Sequence, residues 1–144
     1  MRFSVLLSAF GLVAVTVAVH IVGLVFLVKS LFKLHNLSPT HFWSFTWTMI
    51  RVVWSLIFVH AIEITIWALF YLWAGCLTDG PSAFYFSGVT YTTVGYGDLV
   101  LPGKWRLLAP IEALSGILMC GVSTGLFFAV VNTILSGKSE FAPP

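Results

Sequence analysis

Charge is what this chain has least of. Only 8% of its 144 residues are Asp, Glu, Lys or Arg, against roughly 25% in soluble domains. So few charges cannot cover a water-soluble globule of this size, which excludes a soluble enzyme or adaptor. The formal net charge of +2 is spread thinly, so no basic patch for nucleic acid exists. Cysteine is also scarce. Cys76 and Cys120 fall at the end of one apolar stretch and in the middle of another, a placement that argues against an intrachain disulfide. Cys76 reads as a small apolar residue near the interface, or as an intersubunit cross-link if its side is oxidising. No nucleophile–base set or metal-ligand cluster is visible along the sequence, so neither enzymatic activity nor a cofactor is expected. No stretch repeats arginines in the manner of a voltage sensor, and no segment is long enough to fold as a ligand-gating domain.

What the chain has instead is apolar length. Hydrophobic residues make up 59% of it, and three stretches stand out: Phe3 to Val28 with no charged residue, Val52 to Thr78 with Glu63, and Leu107 to Gly137 with Glu112. About 20 apolar residues span the hydrocarbon core as a helix, and helices are required because an open strand would leave its backbone groups unpaired in lipid. Trp43, Trp47, Trp73 and Trp105 lie near the ends of these stretches, where tryptophan prefers the headgroup region. Trp54 and Trp67 lie inside the second and read as packing residues. The first stretch follows Arg2 and loosely fits a secretory leader, but an apolar run reaching Val28 is too long for one, so it reads as a retained helix. These features predict an all-α, multi-pass membrane protein with lipid as its main surroundings.

Gly75 to Arg106, between the second and third stretches, is too long for a tight turn and is expected to carry function. Gly80-Pro81-Ser82 starts a helix, since Pro81 loses nothing at a position whose N–H is unpaired anyway. Ala83 to Tyr91 continues it for roughly 15 Å, half a bilayer. A helix ending at mid-membrane is tolerated only when buried or lining water, and the negative pole at its C-terminal end favours a cation. Then comes Thr92-Thr93-Val94-Gly95-Tyr96-Gly97-Asp98. Gly95 and Gly97 give backbone angles that other residues avoid, Thr93 offers a hydroxyl, and Asp98 offers a carboxylate just after the run.

From about Thr48 to Leu135 the chain resembles the pore domain of bacterial two-helix potassium channels and the wider tetrameric cation-channel superfamily, on the strength of TTVGYGD after a half-helix. The resemblance implies an outer helix at roughly 48–74, a pore helix at about 81–91 and an inner helix at about 104–135, with residues 1–47 as an added helix and an inner-surface connector. It implies a K⁺-selective filter in which the carbonyls of Thr93, Val94, Gly95 and Tyr96 replace the hydration shell of K⁺, with Thr92, Gly97 and Asp98 at its ends. Tyr96 would wedge against pore-helix aromatics such as Phe84 or Tyr85. Four identical chains would close the tube, K⁺ being the permeant ion and no cofactor being needed. It also places residues 75–106 and the N-terminus outside a cell membrane and the C-terminus inside. Lys29, Lys33, Arg51 and Lys138 then lie inside as the positive-inside tendency asks, although Arg2, Lys104 and Arg106 lie outside. A non-conducting subunit of another channel is the alternative; the four-repeat uptake transporters are too long to fit.

The family pattern breaks at Val89, where some members carry a glutamate that pairs with the aspartate after the filter. Asp98 therefore needs another partner, and Glu112, about 8 Å along the inner helix from Leu107, either replaces part of that network or is satisfied locally. Glu63 is ionisable inside a membrane helix and so a functional candidate, with His60 one turn away; the pair is expected to hold the first helix against the second. His20, His35, His41 and His60 are candidate pH sensors, although a lone histidine is usually incidental. Gly116 and Gly121 align with the glycines at which inner helices bend to open, while Gly121 and Gly125 also fit a close-packing motif. Phe128, Val131 and Leu135 share a face that serves either as an apolar constriction or as a packing stripe.

Overall fold

The structure is a computed structural model describing residues 2–33 and 42–136. It contains four helices and, among the described residues, no strand: α1 (Arg2–Lys33), α2 (Phe42–Trp73), α3 (Gly80–Tyr91) and α4 (Leu108–Ser136). Three of them, α1, α2 and α4, are long and apolar enough to cross a membrane, and α3 is the short helix expected between the second and third spans.

Helix boundaries follow from local chemistry. α2 stops at Trp73, close to the 74 expected for the outer helix and short of the end of the apolar stretch at Thr78, because Gly75 takes a left-handed backbone with φ 64°. There Cys76 N–H donates to the Tyr71 carbonyl (2.8 Å) and Gly75 N–H to that of Leu72 (3.0 Å), the paired bonds of a Schellman cap. α3 begins one residue before Pro81. Asp79 is its N-cap, accepting from Ser82 N–H at 2.9 Å. At the other end of α2, Trp43 and Trp47 lie inside the helix, which starts at Phe42. From Trp43 to Trp73 is about 45 Å of helix by rise, the thickness of a bilayer with its headgroups. The expected connector is thereby shortened, and His35 and His41 lie outside the described residues. The division at 47/48 falls within α2.

Packing sets the topology. Val5 and Ala9 of α1 share a core with Trp67 and Tyr71 of α2, Phe86 and Tyr91 of α3, and Leu108 of α4. At the other end Leu24 and Leu27 pack with Val52 and Leu56, and Leu126, Phe127 and Val130 of α4 close over them. So α1 and α4 run antiparallel to α2, and α3 lies at the membrane side shared by the start of α1, the end of α2 and the start of α4. The α1–α2 crossing is tight: a Cβ at Gly23 would come within 2.6 Å of the Val59 side chain. Trp67 is fully buried as expected, but Trp54 is exposed. It lines the groove between α1 and α2 together with Ala18, Val22 and Phe58.

Candidate functional site

The segment after α3 has an unusual backbone. Thr93, Gly95 and Gly97 have φ values of 63°, 50° and 79°, and Thr93 is the only described non-glycine residue with positive φ. Two glycines in this region are unstrained, but a β-branched residue there is an outlier, and such outliers concentrate at functional sites. The sequence pointed to the glycines and not to Thr93, whose type gives no signal for this conformation. Residues 92–98 are all exposed in the single chain.

Two anchors hold this segment to α3. Gly95 N–H donates to the Val89 carbonyl at 2.9 Å, so position 89 contributes through its backbone. Tyr85 donates its hydroxyl to Asp98 at 2.8 Å, one helical turn before the position where the family pattern has a carboxylate. This supplies the partner that Val89 cannot. The bond to the Asp98 carboxylate raises the phenol's pKa above its ordinary value. The Val89 side chain instead lines a cavity of about 320 Å³ between the segment, α3 and the start of α4, together with Thr93, Gly97 and Arg106. Tyr96 is 73% exposed, with Phe84 and Tyr85 also exposed, so much of all three rings is left to a neighbour.

Behind α3 lie two polar layers. In the first, fully buried Glu112 accepts from the Tyr71 hydroxyl at 2.5 Å, and Ser87 Oγ lies 2.5 Å from its other oxygen. Ser87 also donates to the Ile64 carbonyl at 2.9 Å. With one hydroxyl hydrogen between two acceptors, both contacts are made in full only if Glu112 is a carboxylic acid. Glu112 thus ties α4 to α2 and α3 from behind, and Asp98 takes its hydrogen bond from Tyr85.

In the second layer Glu63 is also fully buried. It meets His60 at 3.1 Å and His20 of α1 at 2.9 Å, and Tyr91 donates its hydroxyl to it. The expected pair does join α1 to α2, but it belongs to a larger group. His20, Tyr91 and Ser123 were missed because their partners lie 43, 28 and 63 residues away. The one available signal was a histidine within an otherwise uncharged apolar run.

On α4, Gly116 packs on the end of α3, where an added Cβ would lie 2.1 Å from the Tyr91 carbonyl oxygen. Gly121 and Gly125 face open space, as do Phe128 and Leu135, so the Gly121–Gly125 motif packs on nothing among the described residues. Cys76 is buried and Cys120 exposed, both free; burial pushes the Cys76 thiol up.

Two helices long and apolar enough to cross a membrane thus flank a short helix and an exposed segment of unusual backbone. The family model described as "Ion channel" matches residues 57–133, and the chain belongs to this ion channel family. The match spans the second half of α2, all of α3 and the connecting segment, and nearly all of α4, leaving α1 outside. Neither the curated proteins nor the solved structures contain a match.

Proposed function

We propose that the chain is a K⁺-selective channel subunit, four copies of which close a tube around the segment Thr93–Gly97. The alternation of left-handed residues at 93, 95 and 97 carries this reading. In an ordinary strand successive carbonyls point to opposite sides. Reversing the sign of φ at every second residue turns successive peptide planes the same way, so the oxygens of Thr93, Val94, Gly95 and Tyr96 can face one axis. Carbonyl dipoles replace the hydration shell of K⁺ without a full charge that would hold the ion. Exposure of the whole segment in one chain supports a site completed by neighbours, and a cyclic arrangement follows from one filter copy per chain.

In this reading Thr92 closes the inner end and Gly97 and Asp98 form the outer mouth, with Tyr85 fixing Asp98. The shared side of α3 faces out of a cell membrane, which puts the N-terminus outside and the C-terminus inside. K⁺ is the permeant ion and the activity needs no cofactor. Gly121, open to movement, is the better-placed hinge, since Gly116 is wedged on Tyr91. Purified protein alone in liposomes should pass K⁺ well above Na⁺ and be blocked by Ba²⁺. Equal flux of both ions overturns K⁺ selectivity, and no flux at all points to a non-conducting subunit.

A further inference from the structure

The group around Glu63 contains more lone pairs than hydrogens. His60 Nδ1 lies 3.1 Å from a Glu63 oxygen and 3.0 Å from the Tyr91 hydroxyl, which itself donates to that same Glu63 oxygen. These three atoms form a closed triangle with three contacts and two hydrogens, one on the imidazole and one on the phenol. An extra proton on the ring nitrogens does not fill the third side, because Nδ1 already holds its hydrogen. His20 Nδ1 approaches the other Glu63 oxygen at 2.9 Å. The far nitrogens of both rings converge on one hydroxyl, Ser123 Oγ, at 3.1 and 3.4 Å. If both Nδ1 atoms carry hydrogen, both Nε2 lone pairs face a group with one hydrogen to give.

A cation at the triangle resolves both shortages. With the two Nδ1 lone pairs turned toward an ion, each ring keeps its hydrogen on Nε2, and the Ser123 oxygen accepts both. The second nitrogen of a metal-bound imidazole is commonly held by such an outer hydrogen bond. Ligand atoms of His20, His60 and Glu63 all lie within 4.8 Å of one another. The His20–Glu63, His60–Glu63 and His60–Tyr91 contacts of 2.9 to 3.1 Å are close to the ~3.3 Å edge of a tetrahedron whose metal–ligand bonds are about 2.0–2.1 Å, and the shorter Tyr91–Glu63 contact opens when the ion enters. Two imidazoles, a carboxylate and a phenol, with no sulfur, suit a borderline divalent ion such as Zn²⁺.

We propose that His20, His60, Glu63 and Tyr91 form a divalent transition-metal site, with Ser123 orienting both imidazoles. The ion fastens α1 to α2 and to the last residue of α3, two residues before Thr93. It bears on the pore from outside the conduction path, whatever ion the filter selects.

The test is Zn²⁺ titration of the full-length protein in detergent after chelator dialysis, followed by X-ray absorption. One Zn²⁺ per chain is expected, with a shell of nitrogen and oxygen only. His20→Ala and Glu63→Gln should each lower the affinity by at least about tenfold, and Ser123→Ala by about tenfold through the outer shell. Should His20→Ala or Glu63→Gln fail to fold, Ser123→Ala and the absorption spectrum of the unmodified protein decide. Absence of tight binding overturns the site and leaves the group holding protons only. Sulfur in the shell assigns the ion to Cys76 or Cys120 and overturns it equally, as does affinity unchanged in the variants.

Discussion

Gly116 shows how much one missing methyl can decide. The Tyr91 carbonyl occupies the place where a Cβ would sit, at 2.1 Å, and backbone cannot move aside as a flexible side chain can. Gly116→Ala must therefore separate α4 from α3, at a cost of about 1–3 kcal/mol by analogy with overpacked cores. Thermal unfolding in detergent should show the loss, whereas Gly11→Ala on α1, with open space at its Cβ, should not lower stability. Glu112 makes a second test at this scale. If it is a carboxylic acid between Tyr71 and Ser87, then Glu112→Gln, which also offers one acceptor and a donor, keeps both contacts. Glu112→Ala leaves two buried hydroxyls without that partner and should cost several kcal/mol, at about 1–3 kcal/mol per orphaned group. Equal unfolding temperatures for Gln and Ala would refute the hydrogen count.

At the scale of elements, α3 depends on its cap. Asp79 accepts from Ser82 N–H, and this bond holds its carboxyl below the usual carboxylate range. A depressed folded-state pKa means that the stabilisation is complete above the unfolded pKa and disappears as pH falls through the folded one. Asp79→Asn should thus remove part of the acid-side decline in melting temperature, and an unchanged acid limb would deny the cap that role. The spans and α3 were legible in the sequence because lipid imposes length, and the turn chemistry of Gly75 and Pro81 marks where helices stop and start. The Tyr85–Asp98 bond was not, since the departure at Val89 showed only that a partner had to be sought elsewhere. Nor was the buried group around Glu63 legible: it takes one side chain from α1, two from α2 and one each from α3 and α4, and only packing brings those positions to one depth. Thr93 fails for another reason, because a β-branched residue type gives no sign of a left-handed backbone.

For the whole molecule, the question is which faces remain open. The side chains of Glu63 and Glu112 are sealed inside one chain, so neither needs a second copy. Val94 and Tyr96 are exposed in the segment proposed as the filter, and Gly121, Gly125 and Phe128 are exposed on α4. Lipid is a poor environment for the peptide groups of residues 92–98, which have few partners within the chain and cannot face hydrocarbon. Another protein surface and water along an axis satisfy them, and small residues at 121 and 125 allow helices to approach closely. The proposed tetramer should therefore close through the filter segment and α4, with α1 outermost. Tyr96→Ala and Gly121→Leu should each shift the protein from four chains toward one in detergent mass measurements. Phe26→Ala, on the exposed face of α1, should not. If Phe26→Ala dissociates the assembly while Tyr96→Ala leaves it whole, the subunits meet through α1, and the segment at 93–97 does not lie on the axis.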